Sequence, residues 1–232
     1  MYDIVFISYS EINAEENWKR LKSRFPMAIR IHGVKGIHQA HIVAAKQCFT
    51  KMFWVVDGDA VVLNSFNFDY VVPDGQLSTV HVWRSQNPIN GLEYGNGGVK
   101  LLPRKLTIDM DISKVDMTTS ISQHFKAVKE ISNITAFNTD PFNTWKSAFR
   151  ECAKLSSKVI ERQKNDETDS RLEIWCSVGK DKPYGKFAID GAVSGKLYGS
   201  QWGKIPSQMA KINDFEYLKN IYDTVGVEEK CK

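Results

Sequence analysis

Long apolar runs are missing from this chain. No stretch approaches the ~20 residues that a membrane span needs, so no membrane anchor is expected. Cysteine is scarce: Cys48, Cys152, Cys176 and Cys231 stand far apart. They form no CxxC pair and no Cys/His zinc spacing, which predicts free thiols in a reducing compartment. No Lys/Arg block makes a basic tail. The net charge of +4 permits an anionic substrate or a nucleic acid partner without requiring one. There is no internal repeat and no low-complexity segment. The chain runs directly into its first expected strand, and a cytoplasmic location without secretion or anchoring is the expectation. What is present is ordinary for a globular protein: 232 residues, 42% hydrophobic and 25% charged, enough to bury a real core.

Within that composition one stretch stands out, KMFWVVDGDAVVL over 51–63. Its first apolar run, 52–56, lacks polar alternation and reads as a strand covered on both faces. Asp57-Gly58-Asp59 then falls at the strand's C-terminal end, where open α/β sheets bind ligands. Two carboxylates one residue apart offer a hard-oxygen site for Mg²⁺ or Mn²⁺. An acidic turn after a buried strand is the competing explanation.

The chain ahead of this stretch reads β-α-β-α-β. A strand over 3–8 leads to the loop Ser8-Tyr9-Ser10-Glu11. Asn13 and Glu16 have capping-box spacing, and Trp18, Leu21 and Phe25 repeat at helical intervals up to Pro26. A second strand is expected over 27–32, and after Gly33-Val34-Lys35-Gly36 a helix over 37–49. That order implies a parallel sheet with right-handed crossovers. Beyond the aspartates the pattern predicts strands over 79–84 and 99–102, a loop over 85–98, a helix over 120–131 and a strand over 133–137. A long helix over 142–163, a polar loop over 164–170 and a strand over 172–178 follow. The glycine-dense segment 179–203 reads as a mobile loop, and a closing helix is expected over 212–225.

Three places resemble GT-A fold glycosyltransferases. They are the helix GIHQAHIVAA followed by FWVVDGDA, the loop Ser8-Tyr9-Ser10-Glu11 at the end of the first strand, and the segment Tyr94-Gly95-Asn96-Gly97-Gly98-Val99. The stretch FNTDPFNTWKSAFRE further resembles small glycosyltransferases encoded by tailed bacteriophages. The resemblance implies a single α/β domain over 1–232 with a Rossmann-like, mixed, mostly parallel sheet and flanking helices. Residues 1–102 would be the nucleotide-sugar half and 103–232 the acceptor half. It implies transfer of a sugar from a nucleoside diphosphate sugar to a hydroxyl, with a divalent cation at Asp57 and Asp59 offsetting charge on the departing phosphates. His124 is a third candidate metal ligand. Ser8, Tyr9, Ser10, Lys35, His38, His41, Asp57, Gly97 and Gly98 are donor-site candidates. For His41 a core position is an equal reading, for Lys35 a solvated turn, for Tyr9 interhelical packing, and for Gly97-Gly98 a hairpin turn. Asp140 is the first candidate base and Asp190 the second, although Asp140 before Pro141 is also a natural helix N-cap. The implied lineage points to a host-cytoplasmic monomer or small homo-oligomer, with hydroxymethylated phage DNA as one acceptor.

Three other readings compete. A haloacid dehalogenase-like phosphatase would use Asp57 as nucleophile and Asp59 as acid/base, with a later lysine and an acidic pair. A sugar nucleotidyltransferase would need a glycine-rich basic loop after the first strand, where this chain has Ser8-Tyr9-Ser10-Glu11. A non-catalytic DNA-associated module would use Trp83, Arg84, Tyr198, Trp202 and Lys204, in or near flexible loops, to stack bases and meet phosphates.

Overall fold

The computed structural model describes residues 1–95, 97–114, 116–158 and 165–230. They form two compact units, Met1–Ala136 and Phe137–Lys232.

The first unit contains β1 (Asp3–Ser8), α1 (Ala14–Arg24), β2 (Ile29–His32), α2 (Ile37–Gln47) and β3 (Met52–Asp57), followed by β4 (Ala60–Val62) and β5 (Val80–Gln86). It continues with β6 (Glu93–Tyr94), β7 (Val99–Pro103), α3 (Arg104–Ile108), α4 (Met117–Ile121) and β8 (Phe125–Thr135). The strands make one mixed sheet in the order β2-β1-β3-β7-β5-β8-β4, with β6 on β5. β1 pairs in parallel with β2 and β3, and β5 with β8. β7 runs antiparallel to both neighbours, and β4 antiparallel to β8. The expected α/β class holds, but parallel pairing does not dominate.

Two features curl the sheet. β3 and β4 are joined by only Gly58 and Asp59, yet three strands stand between them in the sheet order. The β5/β8 register slips on both sides of Arg84, and such irregularities bend a strand and raise its twist. Ala136 N donates to Asp59 O at 2.7 Å, bringing the end of β8 to the end of β3.

Alternation along the strands separates two cores. Phe6, Trp54, Val56, Trp83 and Leu101 pack on one face with Leu21 of α1. Val5, Val55, Val82 and Leu102 pack on the other with Ala44 and Ala45 of α2. β3 therefore feeds both layers, and residues 52–56 are fully enclosed, as an apolar run without alternation requires.

The second unit is helical: α5 (Pro141–Ser157), α6 (Asn165–Ser177), α7 (Gly185–Trp202), α8 (Pro206–Ala210), a 3-10 turn (Lys211–Asn213) and α9 (Phe215–Lys230). α5 buries Trp145, Phe149, Cys152 and Leu155 along one face. The rest of the expected helix, 159–163, lies outside the described residues. Four expectations fail. The glycine-dense segment is the helix α7, the strand over 172–178 is part of α6, and the polar loop over 164–170 gives way to α6 from Asn165. The helix over 120–131 is α4 and most of the long strand β8. On α7, a Cβ at Gly191, Gly195 or Gly199 would come within 2.3 Å, 2.2 Å or 2.3 Å of the carbonyl oxygen of Trp145, Phe149 or Ala153. Glycines four apart thus line one helical face and let α5 and α7 meet backbone to backbone. The described thiols, Cys48, Cys152 and Cys176, are all free.

Candidate functional site

β1, β3, β5 and β8 run in one direction and β7 against them. The C-terminal ends of β1, β3 and β8 and the start of β7 therefore share one edge of the sheet. Ser8, Asp57, Asp59, Gly97 and Gly98 gather there. α1 holds the turn from behind: Asn17 Nδ2 donates to Gly58 O at 3.0 Å, and Asn13 Nδ2 to Ala136 O at 2.9 Å. Asn13 makes no side-chain cap on α1: its Nδ2 bond to Ala136 O turns the amide across the fold, and the Oδ1 that would accept from α1 is buried without a partner, so the capping-box reading fails. Glu11 Oε2 accepts from Tyr9 N at 2.7 Å and folds the loop after β1 over Gly58. A Cβ on Gly58 would sit 2.7 Å from that same oxygen, so glycine is what lets loop and turn meet.

Lys100 is the residue that the sequence did not single out. On β7 it lies opposite Val55, while Asp57 N donates to Gly98 O at 2.9 Å. Lys100 and Asp57 are thus diagonal neighbours on one face of an antiparallel pair. The ammonium donates to both Asp57 oxygens, at 2.7 and 2.8 Å, and to Gly97 O at 2.5 Å. Its side chain is 3% exposed against 34% for that of Asp57. Gly97, at φ 87°, takes the left-handed turn that aims this carbonyl. The one available signal was a lysine inside the otherwise apolar VKLLP.

Asp59 is half-buried, and its carboxyl is pushed up to about 7. Burial is the main cause; the charges of Asp57 and Glu11 add to it, and Lys100 partly offsets them. Ser8 Oγ accepts from Arg30 Nε at 3.0 Å and lies 3.0 Å from His32 Nδ1. Tyr9, Ser10 and Lys35 are exposed.

Within the first unit, His124, His38 and His41 make their hydrogen bonds outside this cluster. His124 is exposed at the start of β8, beside Val80 at the start of β5. That is the opposite edge of the sheet, five residues or roughly 16 Å from Asp57 along the strand direction, so His124 does not complete a metal site. His41 is a core residue on α2: Nδ1 donates to Ile37 O at 2.7 Å, and its pKa is pushed down to about 3, mainly by burial and then by Lys100. The ring of His38 meets Ser120 Oγ on α4 at 3.1 Å. Asp140 and Asp190 belong to the second unit. Asp140 caps α5, accepting from Asn143 N at 2.8 Å, with Pro141 at the first helical position. Asp190 is on α7, and both carboxylates help raise the Tyr222 hydroxyl, whose main cause is burial. Trp83 and Tyr198, which the nucleic-acid reading would place at or near flexible loops, are buried in β5 and α7.

The residues do not fit a divalent cation at Asp57. Both of its oxygens hold Lys100, and among the described residues no three His, Cys, Asp or Glu side chains are placed to share a metal. No described helix is long and apolar enough to cross a membrane.

No protein-family model and no curated protein matches the chain. Among solved structures, HddC from Yersinia pseudotuberculosis is similar over 56% of this chain and 90% of that chain, at 15% identity and a TM-score of 0.35. A likeness at that level carries no argument about fold or function.

Proposed function

We propose that the first unit is a GT-A-like nucleotide-sugar site, and that the chain transfers a sugar from a nucleoside diphosphate to a hydroxyl. One observation carries this reading: the three segments of the GT-A resemblance meet at one sheet edge. The loop after β1, the Asp57-Gly58-Asp59 turn and the Gly97-Gly98 segment are linked by the Asp57 N to Gly98 O bond and by the contact of Glu11 with Gly58. In this arrangement the exposed Tyr9 offers a stacking face to the base. Asp57, anchored by Lys100, retains partly exposed oxygens to accept from sugar or ribose hydroxyls. The acceptor is a hydroxyl, with a hydroxymethylated DNA duplex as one candidate.

Thermal unfolding against a panel of nucleoside diphosphates tests the donor site. One diphosphate at a hundredfold its dissociation constant adds roughly 2.7 kcal/mol. Asp59→Asn should keep the fold and abolish transfer, and full activity in that variant would end the reading.

The Lys100–Asp57 pair also favours a second reading, an Asp-nucleophile phosphatase. A lysine on the nucleophile and a carboxyl at about 7 two residues on suit that chemistry. The acidic pair that it also needs is not assembled among the described residues. Stabilisation by beryllofluoride, with no response to any nucleotide, would select it.

A further inference from the structure

We propose that Lys100 is the resident cation of this site, holding the position on Asp57 that a divalent metal would otherwise take. The inference rests on the geometry of the pair and not on the identity of the donor.

A lysine ammonium has three protons, and all three are placed: two on the Asp57 carboxylate, one on Gly97 O. A Mg²⁺ or Mn²⁺ ion binds carboxylate oxygen at about 2.1 Å. An ion on either Asp57 oxygen would have the ammonium as its immediate neighbour, and the two cations would repel each other. The lysine has little room to withdraw. Its strand is hydrogen-bonded on both sides, to β3 at Val55 and to β5 at Val82, and the stem is enclosed. Gly97 O pins the ammonium from a third direction. The chain also builds this arrangement over a long range: Lys100 reaches Asp57 only because β7 returns antiparallel beside β3. Two further carboxylates surround the turn, Asp59 and Glu11, and Glu11 is already bound to Tyr9 N. Removing the one ammonium would leave the Asp57 carboxylate without its cation, with the charges of Asp59 and Glu11 close enough to act on one another, and open to a divalent ion that the site resists when Lys100 is present.

The test uses MnCl₂ alone on the full chain, with Lys100→Met, Asp57→Asn and the double variant. Wild type should show no Mn²⁺-dependent rise of its unfolding midpoint at millimolar metal. Lys100→Met should gain one, about 5–10 °C at a hundredfold excess over its dissociation constant, and the double variant should lose it. A purely structural lysine would lower the midpoint without creating a metal response. A Mn²⁺ response in wild type that Asp57→Asn abolishes would overturn the proposal, as would a folded Lys100→Met that gains none. Should Lys100→Met not fold, electron paramagnetic resonance of Mn²⁺ titrated into wild type decides. An undiminished free-ion signal supports the proposal, and one bound ion that Asp57→Asn releases overturns it. These arms contain no nucleotide, so failure of the donor reading leaves them standing. Conversely, a nucleotide that binds only with Mn²⁺, through Asp57, would retain the donor reading and refute the resident cation.

Discussion

The ammonium of Lys100 lies 2.7 and 2.8 Å from the two carboxylate oxygens of Asp57, and the two partners are unequally buried, 3% and 34% exposed. That inequality makes the pair asymmetric to mutation. Asp57→Asn strands an enclosed ammonium, at a cost of about 3–5 kcal/mol. Lys100→Met leaves a carboxylate that water can reach, at a cost of about 1–3 kcal/mol. The double variant should be more stable than Asp57→Asn alone. Denaturant unfolding of the three variants checks the order, and a larger loss in Lys100→Met than in Asp57→Asn would contradict it.

The contact of α7 with α5 reverses the usual sign of a glycine substitution. In an ordinary helix Gly→Ala gains about 1 kcal/mol. At Gly195 the new Cβ would lie 2.2 Å from Phe149 O, so the helices must part, and the expected outcome is a loss of about 1–3 kcal/mol. Hydrogen exchange of the α5 and α7 amides reads the effect in the unit that carries it. Stabilisation by Gly195→Ala would mean that the helices do not meet backbone to backbone.

These two contacts mark where the sequence stopped being readable. Residues 52–56 showed an enclosed strand because five apolar residues in a row leave no solvent face, and Asp57-Gly58-Asp59 followed from it. The β-α-β-α-β order was legible because each element carries its own period and stop signals. Lys100 was not, since its partner is set by an antiparallel register that no local pattern encodes. α7 was misread because glycine disfavours isolated helix, and the close approach to α5 that overrides this is tertiary. β8 was misread for a related reason. FKAVKEI has helical spacing, and only the pairing with β5 makes it a strand. Asn13 carried a capping signal, but its amide bonds Ala136, 123 residues away.

His41 makes the first unit acid-sensitive. Its ring is enclosed and neutral, with a pKa of about 3 against 6.5 in the ordinary state. The unfolded chain therefore binds one more proton between those values, and stability falls as pH drops below 6.5. The slope is about 1.4 kcal/mol per pH unit for one proton, or roughly 2 kcal/mol between pH 7 and pH 5. The stability lost over that range should be smaller by this amount in His41→Gln than in wild type, whatever the variant's own cost. Equal slopes would place the ring in contact with water.

Asp140 separates a cap from a base. Its carboxylate accepts from Asn143 N, and Pro141 follows it, so Asp140→Ala should cost about 1–2 kcal/mol of the second unit's stability. If that is its whole role, transfer by Asp140→Asn should stay within a few-fold of wild type. Loss of a general base would lower it by about 10²–10⁴.

Gly58→Ala distinguishes a site from a turn. The added methyl would press on Glu11 Oε2 at 2.7 Å and on Ser8 Cβ at 3.1 Å. Glu11 is the end of a flexible side chain and can swing away, so the stability cost should be small, about 1 kcal/mol or less. In moving, Glu11 releases Tyr9 N and frees the loop that presents Tyr9. If this loop and the Asp57-Gly58-Asp59 turn together form a donor site, nucleotide affinity should fall about tenfold or more while the fold persists, because ordering the loop then draws on binding energy. Thermal unfolding with and without the stabilising nucleotide reads both quantities in one experiment. Unchanged nucleotide stabilisation in a folded Gly58→Ala would mean that the loop is not part of the site, and that the Glu11–Gly58 contact serves only to close the turn.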